Sequence, residues 1–347
     1  MQIDVHDLPA SARLSHVASC FHSVGWLRIL HNLGRAERTI DAYGRGLDQY
    51  LSFCEAIGVD PILATLEDVS LFVRWQRGDH PICDVVRRPV SNNTLLQRLT
   101  AIRLWYDHLR YTRVREDNPV PRNSYGDPSG LDHRPGGAGR TLVRKVETLP
   151  RIPTDAAWHA LLCSARSESL RNRMMRELAY FGALRREELV SLEVGDVDFA
   201  RRLITVRADT TKGGRSRVVS YAGEAGVNLA AYLTERHALD RRPGPLFLST
   251  SNRNRGAPLS KWQWSKTVRT LADRADMPSF STHTLRHVRL THLARANWRI
   301  HEIAAYAGHR NPKSTMTYIH LSGTELTSRI ARTVGHKDKK IDDLLFG

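Results

Sequence analysis

Apolar side chains recur at three- and four-residue steps through the first third of the chain, a spacing that predicts amphipathic helices. The first such pattern begins at Arg35. A second follows Thr65, which forms a capping-box pattern with Asp68. A third starts near Ser91. We therefore expect residues 35–118 to form a small all-helical domain.

The segments on either side of this domain have a different character. Residues 1–34 contain one apolar stretch and are interpreted as an N-terminal extension. Residues 119–152 are rich in proline, glycine and charge and have no periodicity, which is typical of a linker. Regular patterns resume at Pro153, so residues 153–347 are predicted to form a second domain that ends in a C-terminal tail.

The second domain is predicted to be mostly helical with a small antiparallel sheet. Leu203 to Ala208 alternates like a strand, and Arg217 to Val219 supplies the return strand of a hairpin with Lys212 at its turn. Pro245 to Leu248 is a candidate further strand. The expected helices are 155–165, 170–181, one starting near Arg186, 259–275, 281–296 and 300–307. The fold class is therefore mainly α with a small antiparallel β-sheet.

The net charge of the chain indicates the class of partner that it binds. Lysine and arginine number 52 against 36 acidic residues, a net charge of +16. Such a balance favours a polyanion, above all nucleic acid, with an acidic membrane surface as the alternative. The four cysteines are far apart and form no CxxC pair, which argues against a zinc ribbon or a disulfide framework. The N-terminus has no basic signal region and no apolar run reaches the roughly 18 residues of a membrane span, so a cytoplasmic location is expected.

The segment that points most clearly to a functional site is His283-Thr284-Leu285-Arg286-His287. On a helix, His283, Arg286 and His287 share one face. Two histidines one turn apart can also bind a metal, but the acid that HExxH chemistry requires is missing. We therefore expect no metal here.

Further pieces stand on both sides of this segment. Gly182-Ala183-Leu184-Arg185 is followed by Glu188, the hairpin turn carries Lys212, and Gly308-His309 precedes Tyr318. In this order, the pieces resemble the motifs of the tyrosine recombinase (phage integrase) family over residues 153–320. Residues 35–118 look like the helical core-binding domain that precedes the catalytic domain in that family. One departure is Ala183, where the family often has glycine.

The resemblance implies a role for each matching residue. Arg185 and Arg286 clamp the scissile phosphate, Lys212 is the general acid, and Tyr318 attacks to form a 3′-phosphotyrosyl link. His283 assists proton transfer, His309 hydrogen-bonds a phosphate oxygen, and Glu188 orients the site. The role of His287 stays open, with a structural one as an alternative.

General chemistry gives each member of this set a reason to be present in strand exchange. A protein–phosphate ester stores the energy of the broken phosphodiester, so no ATP is required. Two arginine forks can hold the charge that other phosphoryl-transfer enzymes neutralise with magnesium. No cofactor is expected. The implied partners are double-stranded DNA at specific recombination sites, a homotetramer on two sites and accessory directionality factors, with no membrane partner.

Two other features have candidate roles in assembly on DNA. Arg98, Arg103 and Arg110 are candidate DNA contacts in the first domain, although arginines on an exposed helix are usually just solvated. The apolar residues that end the chain, Leu344 to Phe346, can dock on a neighbouring subunit as the family's C-terminal segments often do, or form a frayed tail.

Several alternatives remain open at the level of sequence. Lys261 is a second candidate for the acid, whereas Tyr180 and Tyr306 are expected in the core. A catalytically inactive DNA-binding regulator of the same fold and a type IB topoisomerase-like activity are competing functions. A metal-dependent transposase would use carboxylates, here Glu188, Asp196 and Asp198. The sequence does not distinguish phage integration, transposon movement, dimer resolution and cassette exchange.

Overall fold

The chain forms two compact units that divide between Glu147 and Thr148, inside the predicted linker. The computed structural model describes residues 14–79, 89–120, 142–143, 149–211, 213–221, 223–311 and 313–322. Each unit has its own hydrophobic core. Among the described helices, none has the length and apolar character needed to cross a membrane.

The first unit is helical, as predicted. Tyr50 and Tyr106 meet in its core with their hydroxyl oxygens 2.8 Å apart, and the Tyr106 hydroxyl donates to the Pro61 carbonyl. The capping box forms, because Thr65 and Asp68 each accept a hydrogen bond from the other's backbone N–H. The helices are α1 (Ser15–Ser19), α2 (Phe21–Asn32), α3 (Glu37–Ala56), α4 (Leu66–Arg77) and α5 (Asn92–Tyr111).

The segment predicted as an extension instead contributes to this core from residue 14 onward. Val17, Trp26 and Leu27 are buried, and the Trp26 ring stacks on Tyr43 with centroids 6.1 Å apart. The apolar face of α2 is too large to leave in water, so it packs with α3 and α5. The unit therefore begins earlier than the sequence pattern indicated.

The second unit is mainly helical and carries a small antiparallel sheet, which confirms the predicted fold class. Its strands are β1 (Val197–Asp198), β2 (Leu203–Val206) and β3 (Arg217–Ser220), in the order β1-β2-β3. Its helices are α6 (Asp155–Ser164), α7 (Leu170–Phe181), α8 (Arg186–Val190), α9 (Gly223–Leu239), α10 (Lys261–Arg274), α11 (Thr282–Arg295), α12 (Ile300–Ala307) and α13 (Lys313–Ser322).

The sheet follows the predicted alternation. Ile204 pairs with Val219 across β2 and β3, and both are buried, whereas Val218 is exposed on the other face. The candidate strand over 245–248 is not formed. Its ends make single bridges, and Pro245 has no backbone N–H to donate to a ladder.

Helix α9 was not predicted. Gly223 and Gly226 stand in its first turn and look like breakers in the sequence. Its far face nevertheless buries Leu229, Tyr232 and Arg236. The Arg236 guanidinium donates to three backbone carbonyls in the loop that follows.

Helix α11 organises the functional end of the second unit. It packs against α7, α12 and α13. Leu285, in its first half, belongs to the main core, and Leu290 and Leu293 belong to a smaller cluster with residues of α12 and α13. Side chains on the remaining face of α11 therefore meet the ends of several other elements.

Candidate active site

A buried carboxylate fixes the direction of Arg185. Glu188, in the first turn of α8, accepts hydrogen bonds from the Arg185 backbone N–H at 2.9 Å and from its Nη1 at 2.7 Å. Arg217 of β3 donates to both oxygens of the same carboxylate, at 3.1 and 2.7 Å. Burial of Glu188 acts to raise its pKa, but the two guanidinium groups outweigh it and hold the pKa at about 2. Glu188 is thus ionised at neutral pH and orients both arginines.

The turn before Arg185 has a tightly constrained backbone. A Cβ on Gly182 would lie 3.0 Å from the Leu178 carbonyl oxygen and 2.9 Å from the Leu184 side chain. Ala183 has φ +45°, in the left-handed region that costs a non-glycine residue about 1 kcal/mol. The Ala183 carbonyl accepts a hydrogen bond from Arg286, so this conformation links α8 to α11.

Arg286 is a buried cation held by backbone carbonyls. It is 2% exposed, and its Nη1 and Nη2 donate to the carbonyls of Ala183 at 2.6 Å and Ala307 at 2.5 Å. Burial and the nearby charge of Arg185 lower the pKa of Arg286 to about 9, so it remains protonated at neutral pH. Carbonyl oxygens carry only partial charge, and much of the guanidinium's field remains for an incoming anion.

Tyr318 lies on α13 with its ring in the small apolar cluster and is 4% exposed. Its hydroxyl oxygen is 2.8 Å from Nδ1 of His287. The His309 ring stacks nearly parallel to it, at 11° and 6.1 Å between centroids. Burial raises the pKa of Tyr318, and the charges of Arg286 and Arg185 act in the opposite direction.

The three histidines of the site are held in a positive field that favours their neutral forms. Burial, followed by the charges of Arg286 and Arg185, lowers the pKa of His309 to about 3. Its Nδ1 is 2.8 Å from the Thr315 hydroxyl. The His283 ring stands edge-on to His287 at 4.9 Å, and burial with the same two arginines lowers the His283 pKa.

Residues predicted from separate motifs therefore come together in the second unit. They are Arg185, Glu188, His283, Arg286, His309 and Tyr318. Lys212 lies outside the described residues. The hairpin next to it is closed by Thr211, whose hydroxyl accepts a hydrogen bond from the Arg215 backbone N–H at 3.0 Å.

Two residues of this cluster had no role assigned from sequence. Arg217 binds Glu188. The sequence contained a clue to this role, because Arg217 is two residues before buried Val219 on β3 and therefore lies on the same inward-facing side of the strand. His287 contacts the Tyr318 hydroxyl, and its signal was the shared helix face with His283 and Arg286.

The alternative acid and tyrosines lie in other surroundings. Lys261 begins α10 with its Nζ over the Trp262 ring at 5.3 Å. Tyr180 hydrogen-bonds His292 at 2.7 Å, and the Tyr306 hydroxyl donates to the Phe181 carbonyl.

The carboxylates of the transposase alternative are each engaged separately. Asp196 caps the Glu193 backbone N–H and pairs with Arg207, and Asp198 accepts from the Arg201 backbone N–H. In the part of the chain that the structure describes, no group of three or more histidine, cysteine or acidic residues is placed to hold a metal ion.

The candidate DNA contacts of the first unit differ in exposure. Arg110 is exposed and donates to the Glu116 carbonyl, whereas Arg98 and Arg103 are half-buried. Arg98 hydrogen-bonds the buried Gln76 side chain of α4. Arg110 is thus the most open of the three toward a ligand.

Comparison with known proteins places this geometry in a family. The model of the phage integrase family matches residues 155–325. The chain is 31% identical over 290 residues to tyrosine recombinase XerD of Ralstonia nicotianae, covering 79% of this chain and 90% of that protein. It is 27% identical over 336 residues to tyrosine recombinase XerC of Bifidobacterium longum, covering 86% and 92%.

Solved structures give the same fold. The XerH site-specific recombinase bound to its palindromic difH substrate, a post-cleavage complex, matches with a TM-score of 0.65 at 17% identity, covering 91% of this chain and 86% of that one. The Tn1549 transposon integrase in complex with transposon right end DNA matches with a TM-score of 0.62 at 17% identity, covering 88% and 98%. The similarity therefore extends over both units of the chain.

Proposed function

The chain belongs to the phage integrase family of tyrosine recombinases, and we propose that it cuts and rejoins double-stranded DNA at specific sites through a covalent bond between Tyr318 and a 3′ phosphate. The observation that carries this assignment is the position of the Tyr318 hydroxyl, which contacts His287 in the field of Arg286 and Arg185. A phenol in such a field can act as nucleophile and later as leaving group.

The two arginines are proposed to bind the scissile phosphate. Arg185 and Arg286 are fixed by Glu188 and by two carbonyls, so they require little rearrangement when charge develops on the phosphate oxygens. Neutral His309 next to Tyr318 is proposed to donate a hydrogen bond to one of these oxygens. Neutral His283 is proposed to assist proton transfer at the edge of the site.

The departing 5′ oxygen requires a proton, which we assign to Lys212. In the sequence this lysine falls in the segment that connects β2 to β3, and Arg217, the first residue of β3, is bound to the same carboxylate as Arg185. The end of β3 next to this segment is thereby linked through Glu188 to Arg185. The reaction needs neither a metal nor ATP.

The partners are proposed from the relatives. XerH and the Tn1549 integrase are bound to DNA in their structures, and we propose double-stranded DNA as the substrate here. Assembly as a homotetramer on two sites, with accessory factors for directionality, follows the family resemblance. Arg110 is the most exposed of the three candidate phosphate contacts in the first unit, and Arg98 and Arg103 are half-buried on the same helix.

The test is to trap the covalent intermediate. A DNA that the full-length protein binds is selected from a random library and rebuilt as a nicked suicide duplex, then incubated with protein in EDTA and resolved on a denaturing gel. Tyr318→Phe is compared with Tyr180→Phe, the matched control, because both tyrosines hydrogen-bond a histidine of α11. We expect an adduct with wild type and Tyr180→Phe and none with Tyr318→Phe.

Other outcomes point to the competing functions. Binding without any adduct would indicate a DNA-binding regulator that has lost catalysis. An adduct accompanied by relaxation of supercoiled DNA, with no exchange between two sites, would indicate a type IB topoisomerase-like activity. An adduct that disappears in EDTA would contradict metal-free chemistry.

A further inference from the structure

The contact between His287 and Tyr318 has no assigned purpose in the mechanism above. His287 lies on α11 one residue after Arg286, and its Nδ1 is 2.8 Å from the Tyr318 hydroxyl oxygen on α13. The two rings are tilted by 35° with centroids 5.7 Å apart. We propose that His287 is the base that accepts the proton of Tyr318 during strand cleavage and returns it during rejoining, a role that rests on the proposed function of Tyr318.

The geometry selects His287 over its neighbours. General bases act within about 2.6–3.2 Å of the proton that they remove, and the His287–Tyr318 distance falls in this range. His309 presents the face of its ring to Tyr318, and its Nδ1 is bonded to Thr315. His283 lies next to His287, where it can pass the proton onward. With Nδ1 accepting, Nε2 of His287 carries the ring proton.

The charges around His287 keep the pair neutral before DNA binds. His283 and Arg286 face it from α11, Tyr318 from α13, and His309 from the turn before α13. Burial, His283 and Arg286 lower the pKa of His287 to about 4, so it is a weak base in the free protein. A phosphate bound between Arg185 and Arg286 brings a negative charge that offsets these cations. Substrate binding therefore turns His287 into a stronger base at the moment when Tyr318 is required.

The step balances without a further reactant. The Tyr318 hydroxyl oxygen forms a bond to phosphorus as the bond from phosphorus to the 5′ oxygen breaks. The phenolic proton moves to Nδ1 of His287, and the 5′ oxygen takes a proton from the acid assigned to Lys212. In rejoining, the 5′ hydroxyl attacks phosphorus, Tyr318 leaves, and His287 returns the proton.

The test measures single-turnover cleavage of the suicide duplex by the full-length protein. His287→Ala is compared with His292→Ala, since His292 makes the same kind of hydrogen bond to Tyr180. We expect His287→Ala to cleave about 10²–10⁴-fold more slowly than wild type, while His292→Ala stays within about threefold. DNA affinity and the thermal midpoint of each variant show whether it is folded.

Three further measurements separate a base from a structural contact. His287→Gln keeps an acceptor without a basic nitrogen, so we expect it to remain slow. A 5′-bridging phosphorothiolate, whose sulfur leaves without a proton, should rescue Lys212→Ala and leave His287→Ala slow. Fluorinated tyrosine incorporated at position 318 has a more acidic phenol, so it should recover at least about tenfold of the rate lost in His287→Ala.

The contradicting outcomes are equally defined. A His287→Ala rate within about threefold of wild type, full activity of His287→Gln, rescue of His287→Ala by the phosphorothiolate, or no gain from fluorotyrosine would each overturn the role of a base. These outcomes leave the proposed function standing as long as wild type forms the adduct. If wild type itself forms none on DNA that it binds, the proposed function fails first.

Discussion

Helix α11 carries two tyrosine–histidine hydrogen bonds that look alike and lie in different surroundings. At one, His287 contacts Tyr318 at 2.8 Å, and at the other His292 contacts Tyr180 at 2.7 Å. The first pair lies in the field of Arg185 and Arg286, which both act on the Tyr318 hydroxyl. The second packs against the Trp158 ring.

A cation is also present at the second pair, but it is placed differently. Arg289 lies over the face of the Tyr180 ring with its guanidinium carbon 5.4 Å from the centroid, and it lies over Phe181 as well. Such a cation–π contact stabilises packing and does not present a fork to a phosphate. A hydrogen-bonded tyrosine thus becomes a candidate nucleophile only where the neighbouring cations point toward its hydroxyl group.

The largest expected difference between the two pairs is in their arginines. Lysine in place of arginine keeps the charge and loses the planar fork. We expect Arg286→Lys to slow single-turnover cleavage by about 10²–10³-fold and Arg289→Lys to leave the rate nearly unchanged. Equal losses in both variants, with DNA affinity preserved, would show that the two cations do not differ in function.

Glu188 tests whether the first pair depends on its supporting carboxylate. The Glu188 pKa of about 2 lies below its unfolded value of 4.5, so its stabilising contribution is complete above pH 4.5 and is lost as pH falls toward 2. We expect Glu188→Gln to destabilise the second unit by about 3 kcal/mol at pH 7. The variant should also lose less unfolding free energy than wild type as the pH falls from 4.5 toward 2. Urea unfolding at a series of pH values measures the free energy of unfolding and its dependence on pH. Peptide-resolved hydrogen exchange shows whether the loss occurs at α8 and β3.

The matched control for that change is Glu187→Gln. Glu187 pairs with Arg186 on the surface of the same helix and is 33% exposed at its side chain. Exposed pairs contribute about 0–1 kcal/mol, so this variant should be close to wild type. A Glu187→Gln loss as large as that of Glu188→Gln would argue that α8, and not the buried carboxylate, sets the stability.

The histidines of the two pairs predict a smaller effect of pH on stability. The pKa of His287 is lowered to about 4 and that of His292 is lowered as well, so the unfolded chain binds protons first as the solution is acidified. Their contribution is complete above about pH 6.5 and declines toward pH 4. In thermal unfolding between pH 7 and pH 4.5, His287→Gln should lose less stability than wild type. An unchanged slope would contradict the lowered pKa.

The smallest expected effect concerns Ala183, in the turn that joins the helix of Tyr180 to Arg185. Ala183→Gly relieves a left-handed conformation worth about 1 kcal/mol and removes a buried methyl group worth about 0.8 kcal/mol. We expect the thermal midpoint to change little. Ala179→Gly, a buried change within α7, should destabilise by about 1–2 kcal/mol, and equal losses at the two positions would show that the turn stores no strain.

The sequence was most informative where several motifs had to occur in a fixed order. Arg185, Arg286, His309 and Tyr318 could be predicted as one cluster because each lies in a short motif and the motifs follow one another in a specific order. The helices around them were predictable from caps and periodicity, as at Gly308, which takes the expected left-handed conformation at the end of α12.

What could not be predicted depends on packing between elements far apart in the chain. The His287–Tyr318 contact joins residues 31 positions apart, and the Arg217–Glu188 pair joins residues 29 apart. A pattern of neighbouring residues does not show which residues this far apart in the sequence come into contact. Lys212 stays a prediction from sequence, as do the C-terminal residues 344–346.

The close packing of Gly308 on Arg217 has an evolutionary consequence. A Cβ at position 308 would lie 3.2 Å from both Cδ and Nη1 of Arg217, whose Nε donates to the Tyr306 carbonyl. A side chain at 308 therefore requires Arg217 to shift by a few tenths of an ångström or to be replaced by a shorter residue, and either change weakens the contact between Arg217 and Glu188. We expect the residues at positions 308 and 217 to be substituted together in related chains. Covariation between the two positions would then identify the chains in which an arginine still binds the buried carboxylate.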